Sequence, residues 1–277
     1  MQYRILGRTG VRVSELGFGG ASAGNKNYLK VWDPFDEKNI QSVEDSLRRA
    51  VELGVNYFDT APKYGSEEMY GRALKPFRDQ VFVATKAWAR DADGIVESVE
   101  ESLGRLQMDY VDLVQFHGDW YSDELIEQIL KPDGALAGLQ AAQKAGLTRF
   151  VGFSAEGLTP QLYKLIHTGE FDVMQLQYNV MFQHPFDPAK QAGVLAEAEE
   201  QNMGVAVMRP FTGGTLSRWL SLVAPGLYKQ VDFGKAMLSF VLSNPLVDVA
   251  IAGMRSVQRV EGNCEIVDDT SSRIDLD

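Results

Sequence analysis

The feature that most constrains how this chain can fold is an alternation. Short apolar or β-branched runs occur at 16–19, 56–59, 81–85, 111–116, 150–154, 173–176, 204–208 and 249–251, and a stretch with helical patterning follows each. The runs are largely apolar and lack strict two-residue alternation, as strands do in a parallel sheet covered on its outer face. Asp36 is placed to cap a helix in which Ile40, Val43, Leu47 and Val51 share one face and which Gly54 ends. Val96, Val99, Leu103 and Leu106 form a similar stripe opposite acidic residues. Further helices are expected at 66–74, 136–144, 160–167, 188–201, 232–242 and 257–266. Eight strand–helix units predict an α/β fold, a (β/α)8 TIM barrel, and 277 residues suit one such unit. Residues 3–13 predict a β-hairpin that could plug the barrel's N-terminal mouth. The expected organisation is a single domain over 1–277, with the hairpin, a barrel over about 16–266 and an acidic, polar tail at 268–277. The competitor is a doubly wound open sheet. It would want a dinucleotide fingerprint, and Gly17-Phe18-Gly19-Gly20 fails the G-x-G-x-x-G pattern because Ser22 stands at the last glycine.

Composition removes several function classes. Hydrophobic residues at 45% and charged residues at 23% exclude disorder, collagen and disulfide scaffolds. No apolar run reaches the ~18 residues of a membrane helix, and the first residues lack the apolar core of a signal peptide. Lysine and arginine number 27 against 38 aspartates and glutamates, a net charge of −11 that repels phosphate backbones, so no nucleic acid is expected as a partner. One cysteine, Cys264, cannot form an internal disulfide, and His117, His167 and His184 are too scattered for a metal cluster. A reducing, cytoplasmic setting is expected.

In a barrel of this kind the chemistry sits at the C-terminal ends of the strands. The second run ends in Asp59, with Tyr64 in the loop beyond it; the third reaches Lys86 and the fourth His117. Each has a bland reading: a helix cap, a solvated lysine, a structural histidine, a packed tyrosine. Their joint placement on neighbouring strand ends favours chemistry. A free tyrosine loses its proton near pH ~10 and is a poor acid at neutral pH. A nearby ammonium lowers that value, a buried carboxylate keeps the ammonium charged, and a neutral histidine can donate to the same substrate oxygen. The set would supply a proton to an oxygen that becomes an alkoxide as hydride reaches carbon.

These residues stand in motifs that resemble the aldo-keto reductase family. Leu6-Gly7-Arg8-Thr9-Gly10-Val11-Arg12-Val13-Ser14-Glu15-Leu16-Gly17 is similar to the family's opening hairpin. Asn56-Tyr57-Phe58-Asp59-Thr60-Ala61-Pro62-Lys63-Tyr64-Gly65 resembles the motif carrying its catalytic Asp and Tyr, and Ala84-Thr85-Lys86 and Val114-Gln115-Phe116-His117 those carrying its Lys and His. The resemblance runs from about residue 3 to about residue 266. It implies a reductase that uses NADPH (or NADH) without a Rossmann fold, with Tyr64 as acid, Lys86 tuning it, Asp59 paired with Lys86 and His117 orienting the carbonyl.

The resemblance also implies a cofactor site. Ser154 and Gln175 match the family's polar contacts to the nicotinamide amide, while Ala155 stands where an Asn is frequent. Met208 takes the place of an aromatic that stacks on the ring; a thioether can contact a ring face. Arg209, Phe211 and Gly213 follow, where a Gly-Gly pair could let backbone approach the pyrophosphate. Gly253, Arg255, Gln258, Arg259 and Asn263 open the last helix in a pattern similar to the family's adenosine 2′-phosphate site. Two guanidinium groups beside a helix N-terminus form a natural phosphate seat and favour NADPH over NADH.

For substrate, the loop aromatics Tyr28, Trp32, Trp88, Trp120 and Tyr121 are the candidates, and they predict a small, neutral, apolar or aromatic aldehyde or ketone. The short tail predicts a pocket left open or completed by a partner. Two other functions fit the same residues: a cofactor-binding regulatory or sensor subunit with little turnover, and a barrel enzyme using Lys86 as a Schiff-base nucleophile. The second leaves the Arg255–Asn263 pattern unexplained.

Overall fold

The computed structural model describes residues 1–28 and 31–276. β1 (Tyr3–Ile5) and β2 (Arg12–Ser14) form an antiparallel pair. β3 (Leu16–Gly19), β4 (Tyr57–Asp59), β5 (Phe82–Ala87), β6 (Val111–His117), β7 (Thr148–Ala155), β8 (Val173–Gln177), β9 (Gly204–Met208) and β10 (Val249–Ala252) close into a parallel barrel in which β10 pairs with β3. Each expected run is a barrel strand. Helices cover the outside, so both faces of most barrel strands are buried and the strands read as largely apolar runs.

The interior follows from the two-residue period of a strand. Tyr57, Phe82, Ala84, Leu113, Val173, Ala206, Val249 and Ile251 form a buried cluster inside the barrel, and Leu6 and Val13 of the hairpin join it. The hairpin therefore plugs the N-terminal mouth, as expected. Moving along the strands toward their C-terminal ends, the inward positions change character. Tyr57 gives way to Asp59, Ala84 to Lys86, Leu113 to Gln115 and His117, and Val173 to Gln175. One end of the barrel is plugged with hydrocarbon and the other carries ionisable groups.

The plug depends on a close approach. Gly7 has φ +43° and lies so near β9 that a Cβ there would overlap the Gly204 nitrogen. Arg8 donates to the Gly169 carbonyl at 2.6 Å, fastening the same turn to the barrel floor. Gly7→Ala combines left-handed strain with a backbone clash. It should destabilise the fold by at least about 2 kcal/mol, read as a lower denaturant midpoint at unchanged m-value.

Some helical expectations are corrected. The helix expected at 188–201 begins only at Val194 and runs to Glu200; 187–192 instead form a turn closed by hydrogen bonds between Asp187 and Ala192, and Gly193, at φ +119°, precedes the helix. After β9 two helices, Thr215–Val223 and Pro225–Gln230, stand where no helix was expected, and neither buries a residue. The last helix extends through Asp268, so the polar segment is shorter than expected, and its last residue, Asp277, lies outside the described residues. Arg273 pairs with Glu15, the residue before β3, which carries this segment to the plugged end, away from the strand C-termini. Among the described residues no helix is long and apolar enough to cross a membrane.

Candidate active site

β4, β5 and β6 place the central groups. Asp59 ends β4 and is 3% exposed; Lys86 lies near the end of β5 and is 1% exposed. They form an ion pair, and the Lys86 ammonium also donates to the Thr60 carbonyl at 3.0 Å. Burial pushes the Asp59 carboxyl up and the Lys86 ammonium down, and each is the other's main compensation. Gln175 adds a hydrogen bond to Asp59 and accepts from Gln115 Nε2 at 2.9 Å.

Tyr64 follows β4 in a single 3-10 turn, Pro62–Tyr64, that Gly65 ends in the left-handed region. Its ring lies 5.1 Å from the Lys86 ammonium and meets the His117 ring edge-on at 5.6 Å. Trp88 also packs edge-on against His117, 5.4 Å between centroids. Burial, then Lys86 and Lys63, push the His117 pKa down to about 3, so its imidazole is neutral at physiological pH and can donate one N–H.

One electrostatic expectation is corrected. The Tyr64 phenol is not lowered by Lys86. It is raised well above its ordinary value, by burial first and then by the negative charges of Asp59 and Glu156. The physical reason is burial of the ring together with those two negative charges, which the Lys86 ammonium, already engaged by Asp59 and Thr60, does not outweigh. Tyr64 therefore keeps its proton throughout the neutral range.

A cavity of about 230 Å³ opens above these groups. Asp59, Tyr64 and His117 line it together with Gln175, Met208, Arg209, Phe211, Gly213, Gly253 and Tyr28. Sequence reading missed Ser22, Asn25 and Glu156, which also line it. Glu156 sits two residues beyond Ser154, and that strand-end position was the available signal. Ser154 is buried at the end of β7, beside Gln175 in register, and its carbonyl accepts from the Tyr121 hydroxyl at 2.7 Å.

The expected aromatic substrate wall is mostly elsewhere. Tyr121 is buried in the outer core, Trp120 is exposed against Gly157, and Trp32 donates to the Ala23 carbonyl at 2.7 Å. Of the five, Tyr28 lines the cavity and Trp88 borders it through His117. The sequence profile of the Aldo/keto reductase family matches residues 15–275. The chain belongs to that family.

Known members resemble it over nearly its whole length. It is 30% identical to the L-galactose dehydrogenase of Arabidopsis thaliana over 300 aligned positions, covering 98% of this chain and 90% of that one. The holo form of an aldo-keto reductase from Bacillus halodurans superposes with a TM-score of 0.75 at 25% identity, covering 99% of this chain and 94% of that one. An aldo/keto reductase from Klebsiella pneumoniae, solved with NADP and acetate, has the same fold with a TM-score of 0.73 at 20% identity, covering 97% and 90%.

A second cleft, about 1030 Å³, continues from the cavity and shares Phe211, Gly214 and Gly253 with it. Gln258, Arg259 and Asn263 line its far side. Arg255 is not among the residues that line this cleft; its guanidinium lies over the Trp32 ring at 4.3 Å, with Nη1 buried and unpartnered. Ser256 makes no side-chain cap to the last helix. A free guanidinium nitrogen, an uncapped helix start and a buried, unpartnered Ser22 hydroxyl fit an elongated anionic cofactor. Among the described residues no cluster of metal-ligating side chains is present.

Proposed function

We propose that this protein reduces an aldehyde or ketone to the alcohol with NADPH. The observation that carries this is the buried Lys86–Asp59 pair beneath a cavity faced by a protonated Tyr64 and a neutral His117. When bound, NADPH supplies the hydride. The chain's own residues do the rest. His117 donates a hydrogen bond to the carbonyl oxygen and holds its carbon toward the cofactor side. Tyr64 gives its proton to that oxygen as negative charge develops there, and the Lys86 ammonium beneath the ring stabilises the phenolate left behind. Asp59 keeps Lys86 charged. That same engagement, with Lys86 only 1% exposed, argues against its use as a Schiff-base nucleophile.

Gln175 and Ser154 would hold the nicotinamide amide, Met208 and Phe211 would bound the ring, and Gly213 would border the pyrophosphate. Gly253, Arg255, Gln258, Arg259 and Asn263 would take the adenosine end, with the two arginines at its 2′-phosphate. The test is loss of the reduced-nicotinamide signal when an aldehyde is added to protein and NADPH; tight binding with no turnover of any aldehyde would point to a sensor role instead. Arg259→Ala should weaken NADPH about tenfold or more while changing NADH by about twofold or less, measured by fluorescence titration. Equal losses for both would place the phosphate elsewhere.

A further inference from the structure

The mouth of the cavity carries a charged bridge that the hydride and proton transfers do not use. Arg209, just after β9, adopts φ +58°, a conformation that side-chain-bearing residues seldom take. The Asn179 amide holds it there, donating to the Arg209 carbonyl at 3.0 Å, and the Thr212 N–H donates to the same oxygen at 2.9 Å. Strain fixed in this way aims the side chain. The guanidinium grips Glu156 with both terminal nitrogens, at 2.6 and 2.7 Å, donates to Gln177 Oε1 at 3.3 Å and is also hydrogen-bonded to Tyr28. Glu156 follows β7 and Tyr28 follows β3. Those strands lie on opposite sides of the barrel, with three strands between them in either direction. The bridge therefore spans the mouth, and Tyr28, Glu156 and Arg209 line the same cavity as Tyr64 and His117.

We infer that the Arg209–Glu156–Tyr28 bridge selects carbonyl compounds that carry a hydroxyl group near the carbonyl. Arg209 and Glu156 are each 33% exposed, so water reaches both in the open cavity. A substrate that displaces this water must satisfy a donor and an acceptor at once. A hydroxyl accepts from the guanidinium and donates to the carboxylate. An alkyl or aryl group does neither and leaves part of a charged pair unsolvated, which is costly. The pair is neutral as a whole, so an added carboxylate or phosphate would face Glu156 as well as Arg209. The apolar or aromatic substrate expected from the loop aromatics is thus the poorer match. The inference rests on the proposed carbonyl reduction and narrows its substrate.

The test compares glyceraldehyde with propionaldehyde, two three-carbon aldehydes that differ in their hydroxyls. The readout is the ratio of their kcat/KM values with NADPH in wild type, Arg209→Met and Glu156→Gln. Intrinsic differences in aldehyde reactivity cancel between wild type and variant, as does any general loss of activity. The ratio should fall at least about tenfold in both variants. Ratios within about twofold of wild type would overturn the inference and leave carbonyl reduction standing. If wild type binds NADPH and reduces neither aldehyde, the proposed reduction itself fails and takes this inference with it. Tyr28→Phe removes one oxygen from a partly exposed loop residue and supplies the same ratio should either charge variant not fold.

Discussion

Tyr64→Phe should lower kcat for aldehyde reduction by about 10²–10⁴-fold, the range for a lost general acid, with the NADPH dissociation constant within about twofold of wild type. The substitution keeps the ring, and with it the edge-on contact to His117 and the seat above Lys86. It removes only the hydroxyl that would carry the proton. The raised phenol adds a pH signature. Burial and the neighbouring carboxylates hold Tyr64 above its ordinary value, so its proton is present at every pH below that and is lost only in the alkaline range. Wild-type reduction should therefore show no ionisation of Tyr64 through neutral pH and should decline only as the phenol deprotonates. The residual activity of the variant should lack that alkaline decline. A variant with wild-type kcat, or one that keeps the decline, removes Tyr64 from the role. Because cofactor affinity is measured separately, a collapsed cofactor cleft would be told apart from a lost proton donor.

What could be read in the sequence, and what could not, follows from the range of the interactions involved. Barrel strands such as Gly204–Met208 are legible because helices cover their outer face and the barrel fills their inner face, so apolar character is continuous. Asp59, Lys86 and His117 are legible because each breaks such a run near its C-terminal end, at the mouth where the barrel meets the cavity. The helices at Thr215–Val223 and Pro225–Gln230 bury nothing, so no core-facing demand marks them. The start of the helix at Val194 rather than 188 depends on the turn between Asp187 and Ala192, a local closure that composition does not reveal. Trp120 and Tyr121 are adjacent in sequence, yet one is exposed and the other buried, which only packing decides. The bridge over the cavity joins loops after β3, β7 and β9, and no local pattern encodes a contact between strands on opposite sides of a barrel. The direction of the Tyr64 shift was missed for a similar reason, since it depends on how deeply packing buries the ring and on which carboxylates face it.

Lys86→Met should damage both turnover and stability, and the two losses should separate. Methionine keeps the length of the lysine stem but leaves the Asp59 carboxylate buried without its cation. Breaking a buried pair by removing one partner costs about 3–5 kcal/mol when the remaining charge stays ionised. Asp59 has an escape, because burial already raises its carboxyl and Lys86 is the main influence opposing that rise. In the variant the carboxyl should rise further and take up a proton. An acid with a raised folded-state pKa binds more protons folded than unfolded, so stability is lost as pH rises from the unfolded carboxylate value, ~4. The deficit of Lys86→Met relative to wild type should therefore be small in mild acid and grow with pH, as denaturant unfolding at several pH values would reveal. The double variant Asp59→Asn/Lys86→Met removes both charges and should recover most of the neutral-pH stability. It should not recover turnover. With no ammonium beneath the ring, the developing phenolate loses its counter-charge, and kcat should remain about 10²–10³-fold below wild type in single and double variants alike. Recovery of kcat in the double variant would mean that Lys86 acts only by holding the fold together. A single variant as stable as wild type at every pH would mean that the buried carboxylate finds another partner.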